Sequence, residues 1–310
     1  MKNFSFPRST LEPCLEPCCN SSPCLDPCLN LTSPCPFRII NGACLATIGV
    51  LGVVLSLSVV GMLASRLVKL PERKSLFILN VATNDVFLSI LGILRGVGLA
   101  KNLVSYKDHH GEPTLTCQIY AVVSSLFKNN LSWVLIPLTV DRFVAVVFPT
   151  RYTAWMTRRA CILLIATPWT LLILLNIYDI ITVMTGYIKL EYNPYQHKCM
   201  YNEQRKRIEP LVLLLVPMVA ICFLYLAMFT VILRHKIKSS RFFISTSAII
   251  LTGLLSTVPE ILISTFEVKT SYEVFMIFGV TFFYINGVCN PLIYLGSHQK
   301  FQRQMLTSQL

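Results

Sequence analysis

The chain has 310 residues, of which 54% are hydrophobic and only 14% are charged, and its mean hydropathy is +0.61. Soluble domains carry about 25% charged residues, so this composition excludes an ordinary soluble enzyme and indicates a protein whose solvent is lipid. The formal net charge of +12 does not indicate nucleic-acid binding, because the basic residues are scattered beside apolar runs without a soluble, aromatic-bearing module.

The chain begins with a polar segment, residues 1–38, that is rich in proline and cysteine. Its six cysteines lie in degenerate repeats such as "LEPCLEPCC" and "SSPCLDPC", and glycosylation sequons begin at Asn3, Asn20 and Asn30. The segment lacks the apolar core of a secretory signal. We expect a glycosylated extracellular tail, and its disulfides form either a cap over a ligand entrance or a stalk without a ligand role.

Seven apolar runs of about 20 residues or more follow this tail. Each predicts a transmembrane helix, at residues 39–65, 75–100, 117–148, 160–184, 209–233, 241–265 and 272–295. Strands of a membrane barrel would instead alternate apolar and polar residues over segments of roughly ten residues. We therefore expect an all-α membrane protein with a seven-helix transmembrane domain at 39–295 and a short cytoplasmic tail at 296–310. Phe301 and Met305 predict a short amphipathic helix in that tail.

The distribution of Lys and Arg predicts the orientation in the membrane. Only Arg38 lies close before the first span. The loop after that span carries four basic residues: Arg66, Lys69, Arg73 and Lys74. The N-terminus is therefore predicted outside a plasma membrane that the chain crosses several times, and the basic inner face suits anionic headgroups and an acidic protein partner.

Two motifs stand at the inner ends of predicted spans. Asp141 and Arg142 lie near the end of the third span in "LTVDRFVAVVFP", and the seventh span contains "NPLIY", with Asn290, Pro291 and Tyr294. Together they resemble the rhodopsin-like (class A) G-protein-coupled receptors, and the resemblance covers essentially the whole chain after residue 38. Further matching positions are Asp85 in "LNVATND", Trp169, Pro217, Tyr225 and Pro259.

The resemblance implies a receptor without enzymatic activity or cofactor, in which an extracellular ligand activates a heterotrimeric G protein. In such receptors the arginine of the "DRF" motif, Arg142 beside Asp141 and Phe143, is released when the inner end of the sixth helix moves outward. A helix of the G-protein α subunit then enters the opening. Tyr225 and Tyr294 would turn inward to stabilise this open state.

The resemblance also implies a disulfide at the outer end of the third helix. Cys117 stands 25 residues before Arg142, which is the family's spacing for a cysteine tied to the second outer loop. Cys199 lies in that loop. We therefore expect a Cys117–Cys199 disulfide.

The chain departs from the family pattern at several internal positions, including the first span, which lacks the asparagine that the family usually carries there. Leu131 stands where a serine often faces Asp85, which weakens the prediction of a sodium site formed by Asp85, Asn286 and Asn290. The sixth span reads "STVPE", so Thr257 replaces the tryptophan of the usual switch. The activation switch is therefore expected to differ.

Two further positions exclude common ligand classes. Tyr284 stands where visual pigments carry the lysine that binds retinal, so a Schiff-base chromophore is not expected. Ser124 stands where monoamine receptors carry the aspartate that binds the amine. A typical amine ligand is not expected either.

Three ionisable residues are predicted in the outer half of the bundle: Arg95, Lys128 and Glu260. Ionisable groups within spans are candidates for functional sites and need partners. If Lys128 and Glu260 pair with each other, Arg95 becomes the candidate contact for an anionic ligand. Such a ligand would be a carboxylate or phosphate-bearing lipid or metabolite, or an acidic peptide.

Two other functional classes were compared with the receptor. A seven-helix transporter or channel usually shows internal repeats or broken helices, and none of the motifs in the predicted spans occurs twice. A decoy or adhesion-type protein would bind a partner through the Cys-rich tail without signalling. The altered sixth-span switch keeps this second alternative open.

Overall fold

The computed structural model describes residues 35–65, 72–101, 114–185, 190–193, 198–201, 211–235, 241–265 and 281–307. The helices are α1 (Cys35–Ala64), α2 (Glu72–Lys101), α3 (Leu115–Trp133), α4 (Leu135–Val147), α5 (Tyr152–Trp155), α6 (Arg158–Met184), α7 (Val216–His235), α8 (Arg241–Thr265) and α9 (Phe282–Thr307). Strands β1 (Leu190–Asn193) and β2 (Lys198–Tyr201) form an antiparallel hairpin between α6 and α7. A π-helical turn, Leu211–Leu215, precedes α7.

The predicted all-α bundle is confirmed, and the helix ends lie close to the predicted ones. Five helical segments of the described chain are long and apolar enough to cross a membrane, whereas the apolar part of α8 is shorter, Ile244–Pro259. The predicted seventh span began at residue 272, but the part before residue 281 lies outside the described residues. The tail residues up to Thr307 are helical, but they continue α9 without a break from the seventh span, so the separate short amphipathic helix expected in the tail stays a prediction.

A proline divides the third span into α3 and α4. Pro137 has no N–H group, so it cannot donate to the carbonyl of Trp133 one turn earlier. Val134 still donates to the carbonyl of Asn130 over 2.8 Å, which keeps α3 and α4 nearly continuous. The span therefore behaves as one long element that carries its motif residues to the inner end of the bundle.

A second proline shapes the start of α7. Pro217 lies four residues after Leu213, so it leaves the Leu213 carbonyl without its helical donor. The indole Nε1 of Trp133 donates to this carbonyl over 2.8 Å. A side chain of the third span thereby satisfies a backbone group that proline exposes in the fifth, next to a π-helical turn.

We expect Trp133→Phe to lower the thermal stability of the protein in detergent. The substitution keeps an aromatic ring but strands the Leu213 carbonyl, at a cost of about 1–3 kcal/mol. Trp155→Phe is the matched control, because Trp155 is 46% exposed in α5. Equal melting temperatures for the two variants would show that the Trp133 hydrogen bond contributes nothing.

Among the described residues, the two largest buried apolar clusters lie at different depths of the bundle. The outer core lies around Leu88, Leu131 and Phe283. The inner core lies around Leu138 and Ile249, and Phe143, Tyr225 and Tyr294 pack against it. Between these clusters, α2 makes polar contacts with two neighbours: Asn130 donates to Asn84 over 3.0 Å, and Trp169 donates to Asn80 over 2.8 Å.

Small residues allow α1 to approach α2 closely. A Cβ atom on Gly49 would lie 2.7 Å from the carbonyl oxygen of Ser89, and one on Gly96 would lie 2.5 Å from the carbonyl oxygen of Gly42. Larger residues at either position would push the two helices apart. This packing fixes α2, which carries both Asp85 and Arg95.

Candidate functional site at the inner and outer ends of the bundle

Asp141 and Arg142 form a buried ion pair near the inner end of α4. Asp141 is fully buried, and Arg142 is 6% exposed. Nη2 of Arg142 lies 2.6 Å from Oδ2 of Asp141. Removing either partner would leave a buried charge, which is strongly destabilising. The pair therefore fixes the arginine in one position as long as the surrounding helices stay together.

A third residue, Tyr152 of α5, completes this arrangement. Its hydroxyl donates to Oδ1 of Asp141 over 2.7 Å. Partial burial, this hydrogen bond and the charge of Asp141 together raise the pKa of Tyr152, so the hydroxyl remains a donor at neutral pH. One carboxylate therefore binds both Arg142 and the loop between α4 and α6. We call Asp141, Arg142 and Tyr152 the inner triad.

Two tyrosines from other helices lie around the inner triad. Tyr225 of α7 and Tyr294 of α9 are close enough to Arg142 to interact with it electrostatically. Tyr225 also lies beside Thr246 and Ser247 of α8. Helices α7 and α9 thus reach the arginine, and α8 contacts it through Tyr225, so a displacement of α8 would change the position of Tyr225 beside Arg142.

The other motif residues lie near the same end. Phe143 packs edge to face against Phe148, with ring centroids 6.1 Å apart. Pro291 is buried within α9, and its missing N–H leaves the carbonyl of Gly287 without a helical donor. The helix is thereby weakened one turn before the inner triad's neighbour Tyr294.

A polar link at mid-depth joins α2, α8 and α9. The amide Nδ2 of Asn290 lies 3.1 Å and 3.4 Å from the two carboxylate oxygens of Asp85. Oδ1 of Asn290 accepts from the hydroxyl of Thr252 over 3.2 Å. All three helices are therefore connected through one amide side chain.

This link does not favour the sodium site suggested by the family pattern. The amide nitrogen of Asn290 faces Asp85, its oxygen is engaged by Thr252, and the fully buried Leu131 supplies no oxygen. Asn286 is buried as well. Hard cations require several oxygen ligands, and the donor set here is small. Among the described residues, no group of three or more His, Cys, Asp and Glu could hold a metal ion.

Thr257 makes a different contact from the tryptophan it replaces. Its hydroxyl donates to the carbonyl of Gly253 over 3.0 Å and lies 3.2 Å from Sδ of Met218 on α7. A Cβ atom on Gly253 would lie 2.6 Å from Leu135 of α4. At this level α8 therefore approaches its neighbours closely, without a large ring between them.

The outer half of the bundle holds the predicted ligand residues. Arg95 is 5% exposed and lies on α2 between Leu91 and Leu99, which belong to the same outer core as Tyr284. Tyr284 is 3% exposed and packs against Gly92. Arg95 therefore lies one helical turn along α2 from Gly92, the residue that packs against Tyr284 of α9.

Lys128 extends from α3 towards α9. Its Nζ lies 5.2 Å from the centroid of the Phe283 ring, a cation–π distance. Ser124, one turn outward, donates to the carbonyl of Ala121 over 3.0 Å. Glu260 lies in α8, but its side chain is outside the described residues, so the expected pair with Lys128 stays a prediction.

Cys117 is fully buried at the outer end of α3 and is disulfide-bonded. Cys199 lies in β2 opposite Tyr192, and β2 packs against α3. The side chain of Cys199 is outside the described residues, so the pairing stays a prediction. The predicted glycosylation sites Asn3, Asn20 and Asn30 also lie outside the described residues.

The sequence did not single out Tyr152, Trp133 or Thr252. A signal for the Trp133 contact was available in Pro217, because a proline in a helix leaves the carbonyl four residues earlier, here that of Leu213, without its helical donor. Tyr152 and Thr252 give no comparable signal, because any loop tyrosine or helical threonine has the same pattern. Their roles follow only from the positions of neighbouring helices.

Comparisons with known proteins agree with this architecture. A family described as the seven-transmembrane receptor (rhodopsin family) matches residues 57–294. A Gq-coupled rhodopsin from Mizuhopecten yessoensis is 29% identical over 141 residues. The match covers 46% of this chain and 27% of the relative, so the chain matches about a quarter of the relative's length.

The family match covers well over half of the chain and includes both inner motifs, with Arg142 and Asn290 in their expected helices. The chain is therefore a multi-pass receptor of the plasma membrane and not an enzyme. It belongs to the rhodopsin family of seven-transmembrane receptors.

Proposed function

We propose that this receptor activates a heterotrimeric G protein of the Gq class when an anionic extracellular ligand binds the outer half of the bundle. The observation that carries the proposal is the inner triad, in which Asp141 binds both Arg142 and Tyr152. Buried charges that can exchange partners form elements with two discrete states. Such an element is what a membrane receptor needs to transmit a signal to its inner face.

The activation step follows from the neighbours of the inner triad. Outward movement of the inner end of α8 would separate Tyr225 from Thr246 and Ser247. It would also open a cavity beside Arg142 for a helix of the G-protein α subunit. Because a buried arginine must keep partners, Tyr225 and Tyr294 are the groups that would replace Asp141.

The Gq class is inferred from the relative's described coupling. The basic inner face supports an acidic partner in general, but it does not distinguish one G protein from another. Measuring activation of a panel of G proteins by this receptor therefore tests the Gq class separately from the ligand.

The anionic ligand is inferred from Arg95 and Lys128. Both lie on helices that border the outer core, and Lys128 reaches the helix that carries Tyr284. A guanidinium group binds carboxylate or phosphate in bidentate geometry. Tyr284, with a buried hydroxyl, can donate a hydrogen bond to the same anion.

We expect Arg95→Gln to raise the half-maximal concentration of an active carboxylate or phosphate lipid about 10- to 100-fold, since a hydrogen bond to a charged group contributes about 1.5–3 kcal/mol. The active lipid would come from a panel of free fatty acids and lysophosphatidic acids, with G-protein dissociation as the signal. The measurement compares Arg95→Gln with Arg234→Gln, an exposed residue at the inner end of α7.

Unchanged potency in Arg95→Gln at normal surface expression would contradict the anionic ligand. Loss of Arg95→Gln from the cell surface would instead assign Arg95 to an internal ion pair. A receptor that binds partners through its tail and never dissociates a G protein would support the decoy function.

A further inference from the structure

Gly253 of α8 is packed directly against α4. A Cβ atom built on Gly253 would lie 2.6 Å from Cδ1 of Leu135. Carbon atoms that are not bonded prefer separations of about 3.5–4.0 Å, so this contact exists only because residue 253 has no side chain. The bare backbone of α8 therefore rests on a leucine side chain of the third span.

The backbone of α8 does not itself require a glycine at this position. Gly253 lies in the middle of a continuous helix and does not have a positive φ. After proline, glycine is the least favourable residue in a helix interior. What Gly253 provides is therefore not a backbone conformation but space for Leu135.

The leucine on the other side of the contact has little freedom to move. Leu135 is 1% exposed and belongs to the inner core with Leu138 and Ile249. Side chains in such cores are closely packed, and added atoms force rotamer changes or backbone shifts. Moreover, α4 is enclosed by contacts with α2, α6, α7 and α8, so α4 cannot easily shift either.

Helix α8, in contrast, has a free side. Leu251 and Leu255, which flank Gly253 on α8, are both more than half exposed. In a membrane protein such apolar residues face lipid, and lipid yields more readily than a packed core. A side chain added at residue 253 would therefore move α8 away from α4, towards the bilayer.

The same stretch of α8 also makes polar contacts with two other helices. The hydroxyl of Thr252 donates to Oδ1 of Asn290 on α9 over 3.2 Å. The hydroxyl of Thr257 lies 3.2 Å from Sδ of Met218 on α7. Gly253 lies between these two contacts in the sequence, so α8 is positioned here against α4, α7 and α9 together.

A movement that begins at Gly253 would reach the inner triad's surroundings. Thr246 and Ser247, which lie beside Tyr225, precede Gly253 by about two helical turns, or roughly 10 Å. They stand on the inner side of the contact with Leu135. Separating α8 from α4 at Gly253 would therefore withdraw these residues from Tyr225.

We propose that Gly253 sets the resting position of α8: its missing side chain lets α8 lie against Leu135 and keeps the receptor closed without ligand. A side chain at residue 253 acts as a wedge that moves the inner end of α8 outward. This inference rests on the outward movement of α8 in the proposed function, and it adds the contact that opposes that movement.

The first test measures the position of α8 without any G protein. Nitroxide labels are attached to p-acetylphenylalanine at two exposed positions, Ile162 of α6 and Ile244 of α8, so that free cysteines do not react. Double electron–electron resonance on the receptor in nanodiscs then gives the distance between the labels. We expect Gly253→Ala to increase the population with longer distances, and Gly253→Leu to increase it further.

A second glycine provides the matched control for these variants. A Cβ atom on Gly61 of α1 would have no heavy atom within 4 Å, so Gly61→Ala should leave the distances as in wild type. Wild-type distances in both Gly253→Ala and Gly253→Leu would overturn the proposal, because the added atoms would then have been accommodated without moving α8.

The second test measures nucleotide exchange on Gq without ligand. We expect Gly253→Ala to raise the basal rate about fivefold or more, the change that overpacking of a core produces in a two-state balance. Because alanine favours the helix in both states alike, helix propensity does not account for such a rise. Longer distances without any exchange on Gq would support the wedge and contradict the Gq coupling.

The third test removes the other side of the contact. Leu135→Ala added to Gly253→Leu moves the leucine side chain from α4 to α8 and nearly conserves the packed volume. The double variant should show shorter distances than Gly253→Leu alone. If Gly253→Leu prevents folding, Gly253→Ala with and without Leu135→Ala gives the same comparison. Distances that Leu135→Ala does not shorten would overturn the proposal, because Leu135 would then not be what displaces α8.

Discussion

Replacing Cys117 by alanine is expected to remove most of the receptor from the cell surface. Cys117 is disulfide-bonded and fully buried, and the predicted bond to Cys199 closes a loop of roughly 80 residues. In the chain-entropy model such a bond contributes about 4.5 kcal/mol. That contribution is a large part of the stability of most folded domains.

Surface labelling of epitope-tagged variants measures this effect. Cys199→Ala should reproduce the loss seen with Cys117→Ala, because each removes the same bond. Cys222→Ala is the matched control, since Cys222 is a free, exposed cysteine of α7. Normal surface levels in Cys199→Ala, with loss only in Cys117→Ala, would reject the pairing.

Replacing Asp141 by asparagine is expected to raise signalling in the absence of ligand. The substitution removes the charge that holds Arg142 and weakens the contact with Tyr152, so the open state gains population. A hydrogen bond to a charged group contributes about 1.5–3 kcal/mol, and each 1.4 kcal/mol changes a population ratio about tenfold. Basal activity should therefore rise about tenfold or more, provided that the closed state predominates in the wild type.

Tyr152→Phe should raise basal activity by a smaller factor. It removes one donor to Asp141 but keeps the ion pair with Arg142. Tyr178→Phe, at an exposed position of α6, is the control for loss of a tyrosine hydroxyl. A Tyr152→Phe receptor that behaves like the control at equal surface expression would remove Tyr152 from the proposed switch.

Hydropathy predicted the helices well because a lipid bilayer allows very few backbone conformations to cross it. Backbone groups in a bilayer must be satisfied within each segment, so an apolar run of sufficient length becomes a helix. The predicted sixth span, 241–265, coincides with α8, and the predicted first span began only four residues after the first residue of α1. Hydropathy carries no signal for the break between α3 and α4, which comes from the missing N–H of Pro137.

The candidate site was predictable only in part. Adjacent residues such as Asp141 and Arg142 can be recognised as a pair in the sequence, but contacts across helices depend on helix rotation. The approach of Lys128 to Phe283 and the hydrogen bond of Tyr152 to Asp141 belong to this second kind. The family resemblance located the motif residues in the sequence, whereas the structure shows which side chains from other helices contact them.

The most direct test of the receptor function measures nucleotide exchange on purified Gq by this protein in nanodiscs without ligand. Three variants are compared with wild type at equal receptor concentration: Asp141→Asn, Arg142→Ala and the double variant. We predict faster exchange with Asp141→Asn, and a return to the rate of Gq alone when Arg142→Ala is added, because the freed arginine is what supports the open state. Equal exchange rates with and without Arg142 in the Asp141→Asn background would contradict the proposed switch.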